Sequence, residues 1–268
     1  MIPSLIPHTG NYRKQVRDTT KIIDQSLTNY FGAFPSEKSI KGLVNDAFVI
    51  NQPLSSVGGD GYWVYDHAGT VFIVVFDCMG HGRLASMMTR VYINAIKNAF
   101  VEKGISNPAE ALSSIHADLE TKFRHKENKL IGSGADMGIL KYNSKERTLV
   151  FAGAKMDLIQ VSNGKAVKIK SDKMQLGELF EFPHYYTTKH IELMDNESYD
   201  FYLFSDGVTD LIGGPDNKRL KMKNLKTMLE GVNTLSMEHQ KITLQKQLMK
   251  WAGVNLPTDD LLMVGISV

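Results

Sequence analysis

Two hydrophobic periods alternate along this chain. From Leu43 the pattern is that of strands: LVNDAFVI, then YWVYD, a turn at HAGT, and VFIVVFD, whose nearly unbroken apolar run suits a strand buried on both faces. A hairpin feeding the core is expected there. RLASMMTRVYINAIKNAFVEKG then carries apolar residues at helical spacing and stops at Gly104. NPAEALSSIHADLETKF opens with an asparagine cap and a proline at the first helical position, so two consecutive helices are expected.

A second strand-rich block follows: ADMGILKYN, RTLVFAGA, DLIQV, the turn Asn163-Gly164, KAVKIK, YYTTKHIEL and YDFYLFSD, each short and bounded by turn residues. KMKNLKTMLEGV and SMEHQKITLQKQLMKWAG read as helices, the second with Ser236 as N-cap and Glu238 in its first turn. LLMVGISV closes the chain as a strand. With strands at both ends and no repeats or low-complexity tract, one sheet system covered by helices is the simplest arrangement, an α/β domain over 41–268. Residues 1–40 form a separate N-terminal segment. In it YRKQVRDTTKIIDQSLTNY predicts a helix over 12–30 with Val16, Ile23 and Tyr30 at seven-residue spacing, and FGAFPSEKSIKG reads as a linker broken by Gly and Pro. That helix either lies on its own domain or serves as a dimerising or signal-carrying element.

Composition narrows the partners. Lys+Arg 31 against Asp+Glu 29 gives a net charge of +2, and the basic residues are scattered, so nucleic acid is not an expected ligand. No apolar run approaches the roughly 20 residues that span a bilayer. The N-terminus, MIPSLIPHTGNYRKQ, lacks a secretory signal pattern, which points to the cytoplasm. A single cysteine excludes an internal disulfide and any multi-cysteine zinc site. Any metal must therefore be held mainly by oxygen.

FDCMGHGRL, residues 76–84, offers both a thiol and a carboxylate for catalysis. A tyrosine-phosphatase loop requires Cys, five residues, then Arg; here Arg83 follows Cys78 after only four. The spacing removes the thiol mechanism. Aspartates in glycine-rich company recur at the mouths of the expected strands: Asp60 in VGGDGY, Asp77, Asp206 in LFSDGVTD, and the pair Asp259 and Asp260 in PTDDLLMVGI. Singly, such residues form turns. Delivered together to one sheet edge they would repel one another without cations, and hard oxygen donors suit Mg²⁺ or Mn²⁺. His81 is placed to be a general acid or a helix cap. Arg83 is either a phosphate-steering residue or a solvated first-turn arginine.

SVGGDGYWVY, FDCMGHGRLASMM, GADMGILKYN with LVFAGA, FSDGVTDLIGGPDNKRLK and TDDLLMVGI occur in the order found in the PPM (protein phosphatase 2C-like) metal-dependent serine/threonine phosphatases. The chain resembles their bacterial branch, typified by the sporulation stage II protein E phosphatase, over about residues 20–268. The resemblance implies a four-layer αββα sandwich of two mainly antiparallel sheets, with two Mn²⁺ or Mg²⁺ ions at one edge. It implies that Asp77 bridges the ions, that the Cys78 backbone carbonyl and Asp60 hold the second, and that Asp206 and Asp259 hold the first. Asp259 rather than Asp260 matches the family's ligand position. Attack by a metal-activated water would then release phosphate from serine or threonine of a small regulatory protein, in this family commonly an anti-sigma-factor antagonist. Leu262 departs from the family, which often has threonine there. Two other readings are a catalytically silent binding module on the same fold, and a dimeric switch governed by the N-terminal helix.

Overall fold

The computed structural model describes residue 32 and residues 34–80, 82–124, 134–177 and 185–268. The helix expected over 12–30 lies outside them, and with it the proposed dimer contact. In chain order the elements are α1 (Glu37–Lys41), β1 (Asp46–Gln52), β2 (Asp60–His67), β3 (Thr70–Cys78), α2 (Gly82–Lys97), α3 (Pro108–Arg124), β4 (Ala135–Asn143), β5 (Thr148–Ala154), β6 (Leu158–Ser162) and β7 (Lys165–Ile169). They continue with β8 (Lys189–Glu192), β9 (Asp200–Phe204), α4 (Asp206–Asp210), the short β10 (Ile212–Gly213) and β11 (Lys218–Arg219), α5 (Lys221–Val232), α6 (Met237–Ala252) and β12 (Leu261–Ser267).

Two five-stranded sheets carry the fold. One runs β1-β12-β9-β6-β7 and the other β2-β3-β4-β5-β8, and the pairings within both are antiparallel. β1 pairs with β12 from Asp46↔Ser267 to Gln52↔Leu261, so the two ends of the domain close one sheet. Three buried clusters define four layers. Val71, Ile73 and Val75 of β3 meet Phe201, Leu203, Leu262 and Val264 between the sheets. On the outer face of the second sheet, Phe72, Val74 and Phe76 pack on Tyr92 and Ile96 of α2 and Leu112 and Ile115 of α3. α5 and α6 cover the other sheet through Leu225, Leu229, Leu244 and Leu248. β3 thus buries alternate residues on opposite faces, each large side chain contributing about 1.5–3 kcal/mol. The αββα sandwich follows from that alternation. Among the described residues, no helix is long and apolar enough to cross a membrane.

Local signals act where expected. Asn107 caps α3 through its carboxamide oxygen, which accepts from Ala109 N at 2.8 Å, and Ser236 caps α6. Asn163 and Gly164 both take positive φ in the β6–β7 turn. Two segments differ from expectation. The helix drawn through to Gly104 is α-helical only to Lys97, and a π-helical turn over Asn98–Glu102 follows. That turn buries the adjacent Ala99 and Phe100, and sets the Phe100 ring 4.8 Å from Phe72 and 5.8 Å from Trp63. The supposed linker is ordered against the domain from Phe34. Ser36 caps α1, Ile40 is buried, Phe34 stacks on Tyr62, and Glu37 pairs with Lys241 of α6 at 2.6 Å.

Candidate metal and phosphate site

Strand parity decides where the catalytic candidates point. Asp77 continues the series Val71, Ile73, Val75 that faces the opposing sheet, whereas Cys78 continues Phe72, Val74, Phe76 into the core beneath α2. Asp60 shares parity with Tyr62 on β2, and Asp136 with Leu140 and Tyr142 on β4, both facing the space between the sheets. In register, Asp60 stands opposite Asp77, and Asp77 opposite Asp136. Three carboxylates therefore cross three adjacent strands where apolar residues would otherwise continue the inter-sheet core. Like charges facing each other across strands are destabilising unless something neutralises them.

The other sheet supplies the opposite wall. Asp206 opens α4 directly after β9, and its backbone N–H donates to Asp77 Oδ2 at 3.4 Å. Gly207 lets α4 pack this close: a Cβ there would lie 2.0 Å from the Asp260 carbonyl oxygen. Asp259 and Asp260 precede β12 and divide their work. Asp260 is buried, and its carboxylate accepts from Leu54 N at 2.6 Å and Gly59 N at 2.7 Å. Asp259 Oδ1 accepts from Asp260 N at 2.8 Å, and its charge acts on Asp60, Asp77 and Asp206. Thr89 of α2 donates to the Gly59 carbonyl at 3.0 Å and holds the GGD turn in place. At Gly59 a Cβ would meet the Cys78 carbonyl oxygen at 2.6 Å, so only glycine allows that approach.

Electrostatics follow from burial and crowding. Burial, reinforced by the charges of Asp60, Asp206, Asp136 and Asp259, pushes Asp77 up to about 10. Burial pushes Asp60 up to about 8, with Asp260 and Asp259 adding to the rise and hydrogen bonds from Ser205 and Asp77 opposing it. Asp206 is raised by burial and by Asp259 and Asp210. A crevice of about 170 Å³ opens onto this group, lined by Asp77, Asp136, Lys155, Asp157, Asp206 and Thr209. Among the described residues, no three such groups converge tightly enough to form a ready metal cage. The donor chemistry nevertheless fits hard divalent cations: carboxylates arrive from both sheets, oppose one another in register and are driven toward protonation by mutual charge.

The family model for stage II sporulation protein E (SpoIIE) matches residues 67–268. The chain belongs to that family. Its domain is of the PPM phosphatase type. Among solved structures, the SiaA-PP2C domain of Pseudomonas aeruginosa is similar with a TM-score of 0.81 at 23% identity, over 97% of this chain and 98% of that one. The PP2C phosphatase domain of SpoIIE from Bacillus subtilis, solved with a fragment of its regulatory domain, gives 0.65 at 17% identity, over 83% of this chain and 62% of that one. RsbX in complex with magnesium gives 0.55 at 17%, over 83% and 94%. Such neighbours are serine/threonine phosphatases of the PP2C family. No curated protein matches the chain significantly by sequence.

Within this SpoIIE-family domain, the matched span includes Asp77, Asp136, Asp206 and Asp259, while Asp60 precedes it. The Cys78 thiol is buried and is pushed well above its usual range by burial and by Asp77 and Asp60, which makes it a poor nucleophile. Leu262 sits fully buried between the sheets. His81 lies outside the described residues. Arg83 falls in the first turn of α2, with its side chain outside them. Asp136 was not anticipated from the sequence. It stands at a strand mouth with Gly134 and Gly138 two residues to either side, and its phase with Leu140 and Tyr142 in ADMGILKYN puts it on the inward face.

Proposed function

We propose that this domain is a metal-dependent phosphoprotein phosphatase acting on phosphoserine or phosphothreonine of a small regulatory protein, of the anti-sigma-factor antagonist kind, in the cytoplasm. The observation that carries the reading is the row Asp60, Asp77, Asp136 across β2, β3 and β4, faced by Asp206 and Asp259 from the other sheet. Asp60, Asp77, the Cys78 carbonyl, Asp206 and Asp259 are the residues that would hold two Mg²⁺ or Mn²⁺ ions. The magnesium complex of RsbX supports a divalent ion on this fold. When bound, such ions neutralise phosphoryl oxygens and lower the pKa of water toward 7.

The chain's own residues supply the rest. Burial of Asp60 and Asp77 makes their charged forms costly without a cation, so binding of a divalent ion would be coupled to release of their protons. The α4 N–H at Asp206 orients Asp77. Asp260 and Thr89 fix the 54–60 turn from both sides. No side-chain nucleophile is required, and His81 is a candidate to protonate the leaving oxygen. The N-terminal segment, residues 1–40, is proposed as the regulatory element through which the domain would pair with a second copy. Asp77→Ala and Asp206→Ala should each abolish Mn²⁺-dependent hydrolysis of p-nitrophenyl phosphate while near-native circular dichroism survives. Full activity in either would contradict the reading.

A further inference from the structure

We propose that Lys155 holds the phosphoryl group of the substrate at the mouth of the crevice, an inference that rests on the phosphatase reading. A phosphate monoester dianion entering here meets Asp77, Asp136, Asp157 and Asp206. Of the residues lining that crevice, the cation is Lys155.

Its backbone is held in an unusual conformation. Lys155 lies between β5 and β6 with φ +55°, a region that long side chains seldom occupy and that glycine enters freely. The turn is fixed from several directions. Lys155 N donates to the Asp172 carbonyl at 2.7 Å, and Asp172 N returns to the Gly153 carbonyl at 2.9 Å. The Asp172 carboxylate is itself held by Thr187 N at 2.7 Å and Thr187 Oγ1 at 2.9 Å. A parallel bridge between Met137 and Lys155 sets the turn beside Asp136. Strained residues maintained by such surroundings cluster at functional sites.

The ammonium is paired with no acid. It donates to Gln175 Oε1 at 3.4 Å, and among the described residues it forms no ion pair. Lys168 on the neighbouring β7 behaves differently, pairing with Asp157 Oδ2 at 2.7 Å, while Asp157 Oδ1 accepts from Ser171 N at 2.8 Å. Arg219, near Asp206, is spent on Asp210 at 2.8 Å. Lys155 is thus a cation beside four carboxylates that is bonded to none of them. Its geometry suits a third party of negative charge, and a tetrahedral phosphoryl oxygen accepts an ammonium as a point charge.

The test uses the Mg²⁺-loaded protein. Inorganic phosphate is titrated calorimetrically into wild type, Lys155→Met and Lys155→Arg, and KM and kcat are measured with a phosphoserine peptide. The expected result is that Lys155→Met weakens phosphate binding and raises KM about tenfold, with a smaller change in kcat, and that Lys155→Arg recovers most of both. Mg²⁺ affinity and melting temperature should stay at wild-type values. Wild-type KM and phosphate affinity in Lys155→Met, in a protein that hydrolyses the peptide, would remove Lys155 and leave the phosphatase reading standing. Loss of Mg²⁺ affinity together with phosphate affinity would overturn the proposal by making Lys155 a support of the metal site. A wild type that binds phosphate through Lys155 but hydrolyses nothing would keep the anion site and remove the phosphatase reading. Neither binding nor hydrolysis would overturn both.

Discussion

Asp77 and Cys78 are adjacent in the chain and face opposite layers of the sandwich, so their substitutions should separate cleanly. Asp77→Asn should lower kcat/KM by at least about three orders of magnitude, because it removes the central carboxylate of the row. Cys78→Ala should keep most activity and cost about 1 kcal/mol in urea unfolding, since only a buried sulfur is lost from the core under α2. Asp259 and Asp260 offer a second separation. Asp260→Ala strands the buried N–H of Gly59 and the half-buried N–H of Leu54 and should cost about 2–3 kcal/mol of stability. Asp259→Ala should weaken Mn²⁺ binding by calorimetry with little change in unfolding. Asp60, Asp77, Asp206 and Asp259 were legible in the sequence because each stands at the mouth of an expected strand. Asp136 and Lys155 were not, because their significance arises from partners across a sheet and around a turn, which one sequence does not state.

At the scale of elements, β2, β3 and β4 hold their aspartates in register, and that makes the metal-free domain sensitive to pH. Asp60 and Asp77 lie above their usual value of 3.8 when folded, at about 8 and about 10. The folded state therefore keeps protons that the unfolded chain has already released, and stability falls as pH rises from near 4 through 8. In EDTA the melting temperature should be higher at pH 5.5 than at pH 8, and Asp77→Asn should flatten that slope. Saturating Mn²⁺ should flatten it as well, since the ion replaces the protons. An unchanged slope in Asp77→Asn would show that the row does not carry this cost. Elements with strong local signals were legible: the Asn107 and Ser236 caps, the HAGT and Asn163-Gly164 turns, and the strands flanking them. α1 was not, because five residues cannot display a helical period and PSEKSIKG looks like a linker. The π-helical turn escaped for a related reason. Its extra residue per turn serves Phe100 and its contacts with Trp63 and Phe72, which are tertiary.

For the whole molecule, the sandwich positions chemistry by interrupting its own core. Alternation along β3 builds two hydrophobic layers at once, and at one end of the inward-facing series an acid replaces an aliphatic residue. The closing of β1 and β12 into one sheet was foreseeable, because strand patterns at both ends of the 41–268 stretch most simply belong to one sheet system. The strand order β1-β12-β9-β6-β7 was not, since pairing across such separations depends on packing rather than local sequence. The two sheets meet at their acidic edge, and the account stands on what that edge does when metal is supplied. The most direct measurement is hydrolysis of a phosphoserine peptide by the purified chain with Mn²⁺, with EDTA, and in Asp77→Ala. The account predicts turnover with Mn²⁺, none with EDTA, recovery on adding Mn²⁺ back, and none in Asp77→Ala of unchanged fold. Turnover that persists in EDTA, or in a folded Asp77→Ala, would contradict it.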